Sequence, residues 1–354
     1  MPTNVTAEYK KAEQAFRQVR DPHERLVCLK EMLRTLPKHK GTEHLQADIR
    51  SRIKGLSEEI EGPKRGGNRA GPLYAIRPEG AAQIALIGPP NAGKSSLHVR
   101  LTGSHAEVGP YPYTTKLPLP GMLAFEDVHF QLIDLPPVAA AYMEPWMSSA
   151  LEHADAACLV VDLSDPECLE QIIAVCARLS EKKIILTGHW PDLDLRRGST
   201  TLLGTGQHDH EVRDDGFSDP FRIHLPTLLI ANKSDLDPDP DDVKALEELL
   251  GLRFPALGTS TKTGQGLDAL GATLFRGLGI VRVYTKAPGR PADRGRPFAV
   301  RLGATVLDIA RLVHKDLAQT LKFARIWGSA QFDSQQVGPD HPVADRDIVE
   351  LHAQ

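Results

Sequence analysis

The sequence predicts an α/β chain: a mostly parallel sheet built around a phosphate-binding loop, with a helical hairpin before it and a small α+β unit after it. Three observations carry that class. Residues Gly88 to Ser95 read G-P-P-N-A-G-K-S. The apolar run Ile84–Ile87 precedes them and Leu97, Val99 and Leu101 follow, the strand–loop–helix setting that G-x-x-x-x-G-K-[ST] requires. From about Leu73 to Gly279 short apolar runs alternate with helical patterns, the rhythm of a parallel sheet covered on both faces. Beyond residue 280 the pattern changes to short alternating strands around one helix.

The expected domains are 1–72 (hairpin and basic linker), 73–279 (the phosphate-loop domain, with an insert at about 188–225) and 280–354. In the first, Ala12, Ala15, Phe16, Val19, Leu26, Leu29, Met32 and Leu33 are at helical spacing over 8–36. Leu45, Ile49, Ile53, Leu56 and Ile60 repeat the spacing over 43–61. A break at Pro37 and Gly41 makes a hairpin, and Gly62 to Gly71 is a Gly-rich basic linker. In the second, strands are expected at 84–87, 122–125, 129–133, 157–162, 183–187, 227–232 and 255–259. Helices are expected at 95–102, 166–179, 241–250 and 266–278. Residues 188–225 break the rhythm and read as an inserted, partly mobile element. Its His208, His210 and His224 match no metal-ligand spacing. In the third, strands at 281–285, 298–301, 323–328 and 347–351 flank a helix over 305–314, and Pro288 to Pro297 forms a basic loop.

The formal charge of −4 hides an asymmetry: residues 1–70 carry about +5, residues 281–354 about +3, and the middle about −12. Basic flanks on an acidic centre suit contact with an anionic partner, although solvated helix faces would read the same way. No run of 18 apolar residues exists, so no membrane span is expected. Residues 1–20 lack an apolar signal core, which points to the cytoplasm. Cys28, Cys158, Cys168 and Cys176 form no C-x-x-C pair and read as reduced thiols.

The chemistry lies at strand ends. Backbone N–H groups of Gly88, Pro89, Pro90, Asn91, Ala92, Gly93, Lys94, Ser95 and Ser96 (the prolines supplying only shape) wrap phosphates at a helix N-terminus. Lys94 reaches the β- and γ-phosphates and the Ser95 hydroxyl ligates Mg²⁺. Asn232-Lys233-Ser234-Asp235 follows the apolar strand Leu228–Ala231. An acceptor-only carboxylate there suits the two donors on the guanine edge and would be left unpaired by adenine. Lys233 can lie along the base, and Ser260-Thr261-Lys262 brings a backbone N–H to guanine O6. In Tyr111-Pro112-Tyr113-Thr114-Thr115, a threonine hydroxyl, Thr115 in preference to Thr114, can close the Mg²⁺ shell. Asp134, ending a strand, can hold a Mg²⁺-bound water.

These motifs in this order resemble the translation-factor-like GTPases. G-P-P-N-A-G-K-S, Y-P-Y-T-T, N-K-S-D, the hairpin and the tail V-R-V-Y-T-K … H-K-D-L … F-A-R-I-W-G-S … V-G-P-D-H … D-R-D-I-V-E-L look like the developmentally regulated GTP-binding proteins of the Obg-like group. The tail is similar to their TGS domain, a β-grasp module; Trp327-Gly328-Ser329, Val337-Gly338, Asp340-His341 and Asp345 are its most specific part. The resemblance covers nearly the whole chain and is weakest at 188–225. It implies binding of GTP and GDP, association with ribosomes or RNA through the TGS-like domain and basic flanks, a protein cofactor, and activation by K⁺ held by the side chain of Asn91. It also implies catalysis without a glutamine, consistent with the apolar Val138 after the Asp134 motif.

One departure matters. The family reads D-x-P-G where this chain reads Asp134-Leu135-Pro136-Pro137, and the family glycine gives an N–H to the γ-phosphate that proline lacks. Three readings stay open: a Mg²⁺-dependent GTPase switch, a guanine-nucleotide-responsive RNA or ribosome binder with negligible hydrolysis, and a scaffold whose hairpin and tail dock a protein. Arg290, Arg294 and Arg296 separate the last from the others, because phosphate contacts weaken steeply with salt.

Overall fold

The structure is a computed structural model that describes residues 6–19, 21–37, 42–61, 76–104, 117–190, 221–236 and 254–353, with 243, 245, 246 and 248. The chain separates into two units, residues 1–75 with 201–222 and residues 76–200 with 223–354.

The first unit contains α1 (Ala7–Gln18), α2 (Pro22–Thr35) and α3 (Glu43–Glu61). The expected single helix over 8–36 is two helices. Asp21 accepts the N–H groups of His23 at 3.0 Å and Glu24 at 3.1 Å, and Pro22 at the first helical position cannot continue the preceding helix. Tyr9, Phe16, Leu29, Met32, Leu45 and Ile49 form its core together with Phe221.

The second unit begins with a seven-stranded sheet. It contains β1 (Ala82–Ile87), β2 (Leu119–Phe125), β3 (Val128–Asp134), β4 (Ala156–Asp162), β5 (Ile184–Thr187), β6 (Ile223–Asn232) and β7 (Ala256–Gly258). The strand order is β2-β3-β1-β4-β6-β5, with β7 also on β6. Only β2 is antiparallel to its neighbour. Residues of β1 alternate between two cores, as the period of a strand covered on both sides demands. Ala85 and Ile87 join α5 (Met147–His153) and α6 (Cys168–Glu181) on one face. Ile84 and Leu86 join α4 (Lys94–Thr102) and α7 (Asp268–Gly277) on the other. Helix α5 was not expected from the sequence.

The edges of the expected insert are structural. Trp190 is buried, its indole N–H donates to Thr227 O at 3.2 Å, and a Cβ on Gly277 would meet its ring at 2.5 Å. Residues 223–225 open β6, so His224 lies in a strand; 191–220, with His208 and His210, are outside the described residues, as are the linker 62–75 and the segment 105–116 that holds Tyr111 to Thr115.

The same unit continues into a five-stranded sheet of order β11-β10-β12-β8-β9. Its strands are β8 (Ile280–Thr285), β9 (Asp293–Arg301), β10 (Leu321–Trp327), β11 (Gln335–Val337) and β12 (Asp347–Ala353). They pack on α8 (Val306–Val313), which opens with a Thr305–Asp308 capping box, and α9 (Lys315–Thr320) follows. The expected loop 288–297 becomes strand from Asp293, because Asp293 pairs with Thr285 across a register shift. Arg282 of β8 ties this module to the first sheet. Its guanidinium meets Asp345 at 2.6 Å, Asp127 at 2.9 Å and Glu126, over the Phe275 ring.

Candidate functional site: a phosphate loop facing a base-reading strand end

At the end of β1 the backbone turns so sharply that only glycine fits. Gly88 has φ +146°, and a Cβ there would lie 2.1 Å from Val160 O on β4. The loop through Pro89, Pro90, Asn91 and Ala92 ends at Gly93, the N-cap of α4. Asn91 is exposed at φ +60°, whereas Pro89 and Ala92 are buried. Lys94 is also buried, its ammonium donating to the carbonyls of Gly88 at 3.1 Å and Pro89 at 2.7 Å. Burial lowers its pKa to about 8, against the opposing pull of Asp134. Ser95 Oγ donates to Asp134 Oδ2 at 2.6 Å, and Asp134 is buried at the end of β3. Ser96 is half-buried on the same helix.

The second half arrives at the end of β6. Asn232 donates from Nδ2 to Ala92 O at 2.9 Å and accepts from Thr261 N–H at 3.2 Å, joining three loops. A Cβ on Gly93 would lie 2.2 Å from Asn232 Nδ2, so the second loop glycine permits this approach as well as the helix start. Lys233, at φ +63°, pairs with Asp162 at the end of β4. Burial pushes the Asp162 carboxyl up, but Lys233 and Ser164 outweigh it and hold it below the usual carboxylate range. Asp235 accepts from Ser260 Oγ at 2.6 Å, and Lys262 Nζ lies 4.0 Å from its other oxygen. The N–H of Ser260 donates to Gln265 O at 3.0 Å and that of Thr261 to Asn232, so both are committed within the protein.

The structure therefore brings together Gly88 to Ser96, Asp134, Asn232 to Asp235 and Ser260 to Lys262. Thr115 falls outside the described residues. Asp162 is the participant that sequence reasoning passed over; its signal was an aspartate directly after the apolar run Ala156–Val161.

After Asp134 the backbone donors are accounted for one by one. Leu135 N–H donates to Leu86 O at 3.4 Å, Pro136 and Pro137 have none, Val138 N–H donates to Gly88 O at 3.0 Å, and Ala139 N–H to Tyr142 O at 2.9 Å. Val138 is buried, and its side chain offers nothing to a water molecule.

Two family models match the chain: a 50S ribosome-binding GTPase over residues 83–188 and a TGS domain over residues 281–353. Fold and site thus define the class, a P-loop GTPase with a C-terminal TGS domain. An uncharacterized GTP-binding protein of Halobacterium salinarum is 29% identical over 93% of this chain and 98% of the relative. Developmentally-regulated G-protein 2 of Arabidopsis thaliana is 29% identical over 91% of this chain and 88% of its own. That relative and others similar to 91% of this chain carry the name of the family its motifs resemble. A crystal structure of a GTP binding protein from Pyrococcus horikoshii aligns at TM-score 0.48 and 16% identity, covering 77% of this chain and all of that one. Among the described residues no helix is long and apolar enough to cross a membrane.

Proposed function

We propose that the chain hydrolyses GTP to GDP and phosphate as a Mg²⁺-dependent, K⁺-stimulated molecular switch, in the cytoplasm and in association with ribosomes or RNA. The observation that supports this most is the Asn232–Ala92 hydrogen bond, which ties the phosphate loop to the Asn232–Asp235 segment. In this reading Asp235 accepts the two guanine-edge donors, and Lys233, fixed by Asp162, lies along the base. With Ser260 and Thr261 committed, reading of O6 falls to the Lys262 end of that loop. Lys94 leaves two backbone carbonyls to meet the β- and γ-phosphates, and the α4 N-terminus adds its positive end.

Ser95 and Asp134 fit a magnesium ion: both are hard oxygen donors, and their oxygens lie 2.6 Å apart at a buried strand end. Held by these two oxygens, a magnesium ion would supply positive charge against the charge developing on the phosphates. Thr115 would complete the shell on the γ-phosphate side. Asn91, exposed on the loop with an amide oxygen, is the residue to hold K⁺. No described side chain is a general base, so catalysis is positioning and electrostatics, and intrinsic turnover is slow.

The test compares GTP, ATP and xanthosine triphosphate on the wild type and on Asp235→Asn. The variant should lose guanine preference and gain the xanthine nucleotide; tight ATP binding by the wild type overturns the base assignment. Single-turnover cleavage in K⁺ against Na⁺ should release phosphate faster in K⁺.

A second reading, a nucleotide-responsive binder with negligible hydrolysis, is favoured by one observation. Among residues 135–139 every backbone N–H is either missing or bonded elsewhere in the protein. Phosphate release no faster than the uncatalysed rate would support it.

A further inference from the structure

The C-terminal module carries a cleft of about 640 Å³ that the nucleotide site does not use. Lys286, Arg294, Trp327, Gly328, Arg346 and Ile348 contribute to its wall, and no carboxylate does. These residues come from four stretches of chain: the end of β8, the start of β9, the end of β10 and the approach to β12.

The chemistry of the wall is specific. Trp327 presents a half-buried indole, and Lys286 Nζ lies 4.3 Å from its ring centroid. Beside it Gly328 stands at φ +123°, where a Cβ would meet Asp347 Oδ1 at 2.5 Å. Asp347 is buried and accepts from Ser329 N–H at 2.6 Å, Ser329 Oγ at 2.7 Å and Ala344 N–H at 2.7 Å, so the turn after the indole is fixed. Lys286 is held by Glu350 at 3.3 Å and Arg346 by Glu126 at 3.2 Å, which positions both cations before any ligand arrives. Arg294 is exposed and has no ion pair among the described residues. An indole ring beside bare backbone, with Lys286, Arg294 and Arg346 in the same wall, suits a planar base flanked by phosphates. The volume is that of a site for a group of nucleotide size.

We propose that this cleft binds one nucleotide of a single-stranded RNA, its base against Trp327 and its neighbouring phosphates on Arg294 and Arg346. The choice of RNA rests on the reading of the chain as an RNA-associated GTPase; the cleft itself does not depend on the GTP site.

The full chain, saturated with GDP, is titrated into fluorescein-labelled single-stranded ten-nucleotide RNAs and followed by anisotropy. Arg294→Glu and Trp327→Leu should each weaken binding at least tenfold. Arg311→Glu, the same charge change at an exposed position of α8 outside the cleft, should weaken it less than threefold. Equal losses for Arg294→Glu and Arg311→Glu would assign binding to diffuse charge and overturn the cleft. Failure of Trp327→Leu to fold leaves Arg294→Glu decisive, because that side chain is exposed. Millimolar AMP or UMP should displace the RNA poorly; displacement at the strand's own affinity would assign a free nucleotide and overturn the RNA proposal. An acidic peptide that competes as well as RNA would overturn it too. Guanine nucleotide affinity is measured in parallel. Wild type that binds GDP but no RNA refutes the RNA association alone, whereas loss of GDP binding refutes the GTP site.

Discussion

Replacing Pro137 by glycine supplies a backbone N–H at one of the two prolines after Asp134, the position where the family the motifs resemble has glycine. Leu135, Val138 and Ala139 all spend theirs within the protein, so in the wild type no neighbour can stand in without breaking a bond of 3.4 Å, 3.0 Å or 2.9 Å respectively. A hydrogen bond to a charged partner contributes about 1.5–3 kcal/mol. Gained only with the γ-phosphate, it should raise the preference for GTP over GDP by roughly 10- to 150-fold. The substitution also loosens the unfolded chain and removes a buried ring, costing about 1–2 kcal/mol of stability. Calorimetric titration of GDP and a non-hydrolysable GTP analogue, each with Mg²⁺, measures the ratio directly. The wild type should bind both within a few fold, and Pro137→Gly should separate them, while Pro136→Ala should not. A wild type that already prefers the triphosphate more than tenfold, with no further gain in Pro137→Gly, would refute the donor accounting.

Gly93→Ala drives a Cβ to 2.2 Å from Asn232 Nδ2 at a positive φ, so it should cost guanine nucleotide affinity at least tenfold, read by titration with a fluorescent GDP. Lys94 titrates near 8 because it is buried, which gives two opposite pH trends. The unfolded chain keeps this proton up to about pH 10.5, so ligand-free stability should rise between pH 8 and 10.5 relative to Lys94→Met, while nucleotide affinity falls over the same range. Matched thermal melts and titrations check both. Arg282→Ala strips the shared cation from Glu126, Asp127 and Asp345. Breaking a buried pair costs about 3–5 kcal/mol, and the partial exposure of these carboxylates reduces that to about 2–4 kcal/mol by urea unfolding. For Asp127 and Asp345 burial pushes the carboxyl up, but hydrogen bonds from Arg282, and from Tyr284 to Asp127, hold it below its ordinary value. Their stabilisation is present above about pH 4 and is lost as pH falls through the depressed values. The acid limb of the stability curve should flatten in Arg282→Ala; an unchanged limb would refute the clamp.

Much of this protein was legible because the relevant physics is local. The loop from Gly88 to Ser95 is recognisable since its glycines answer to backbone angles and its lysine and serine to an adjacent helix start. The strands of the first sheet are readable as apolar runs because both faces are covered, and the helix expected over 305–314 is α8. Local signals failed where they competed. The helical period from 8 to 36 runs through Asp21, and the Asp21 cap with Pro22 divides it; the basic stretch after Pro288 reads as loop until β8 offers it a partner strand.

What a linear reading cannot supply is which distant groups meet. Asn232 and Ala92, Asp162 and Lys233, and Arg282 with Asp127 lie 140, 71 and 155 residues apart, and no spacing rule connects them. Composition marked 188–225 as foreign to the domain, yet Trp190 at its edge is core, because burial depends on what packs across the sheet. The sequence by itself pointed to the class of protein, since the G-P-P-N-A-G-K-S loop and the N-K-S-D segment are each made by a few consecutive residues. Only the tertiary structure decided that the two lie together, and that no N–H among residues 135–139 is left to replace the one Pro137 lacks, because hydrogen-bond partners are assigned in space.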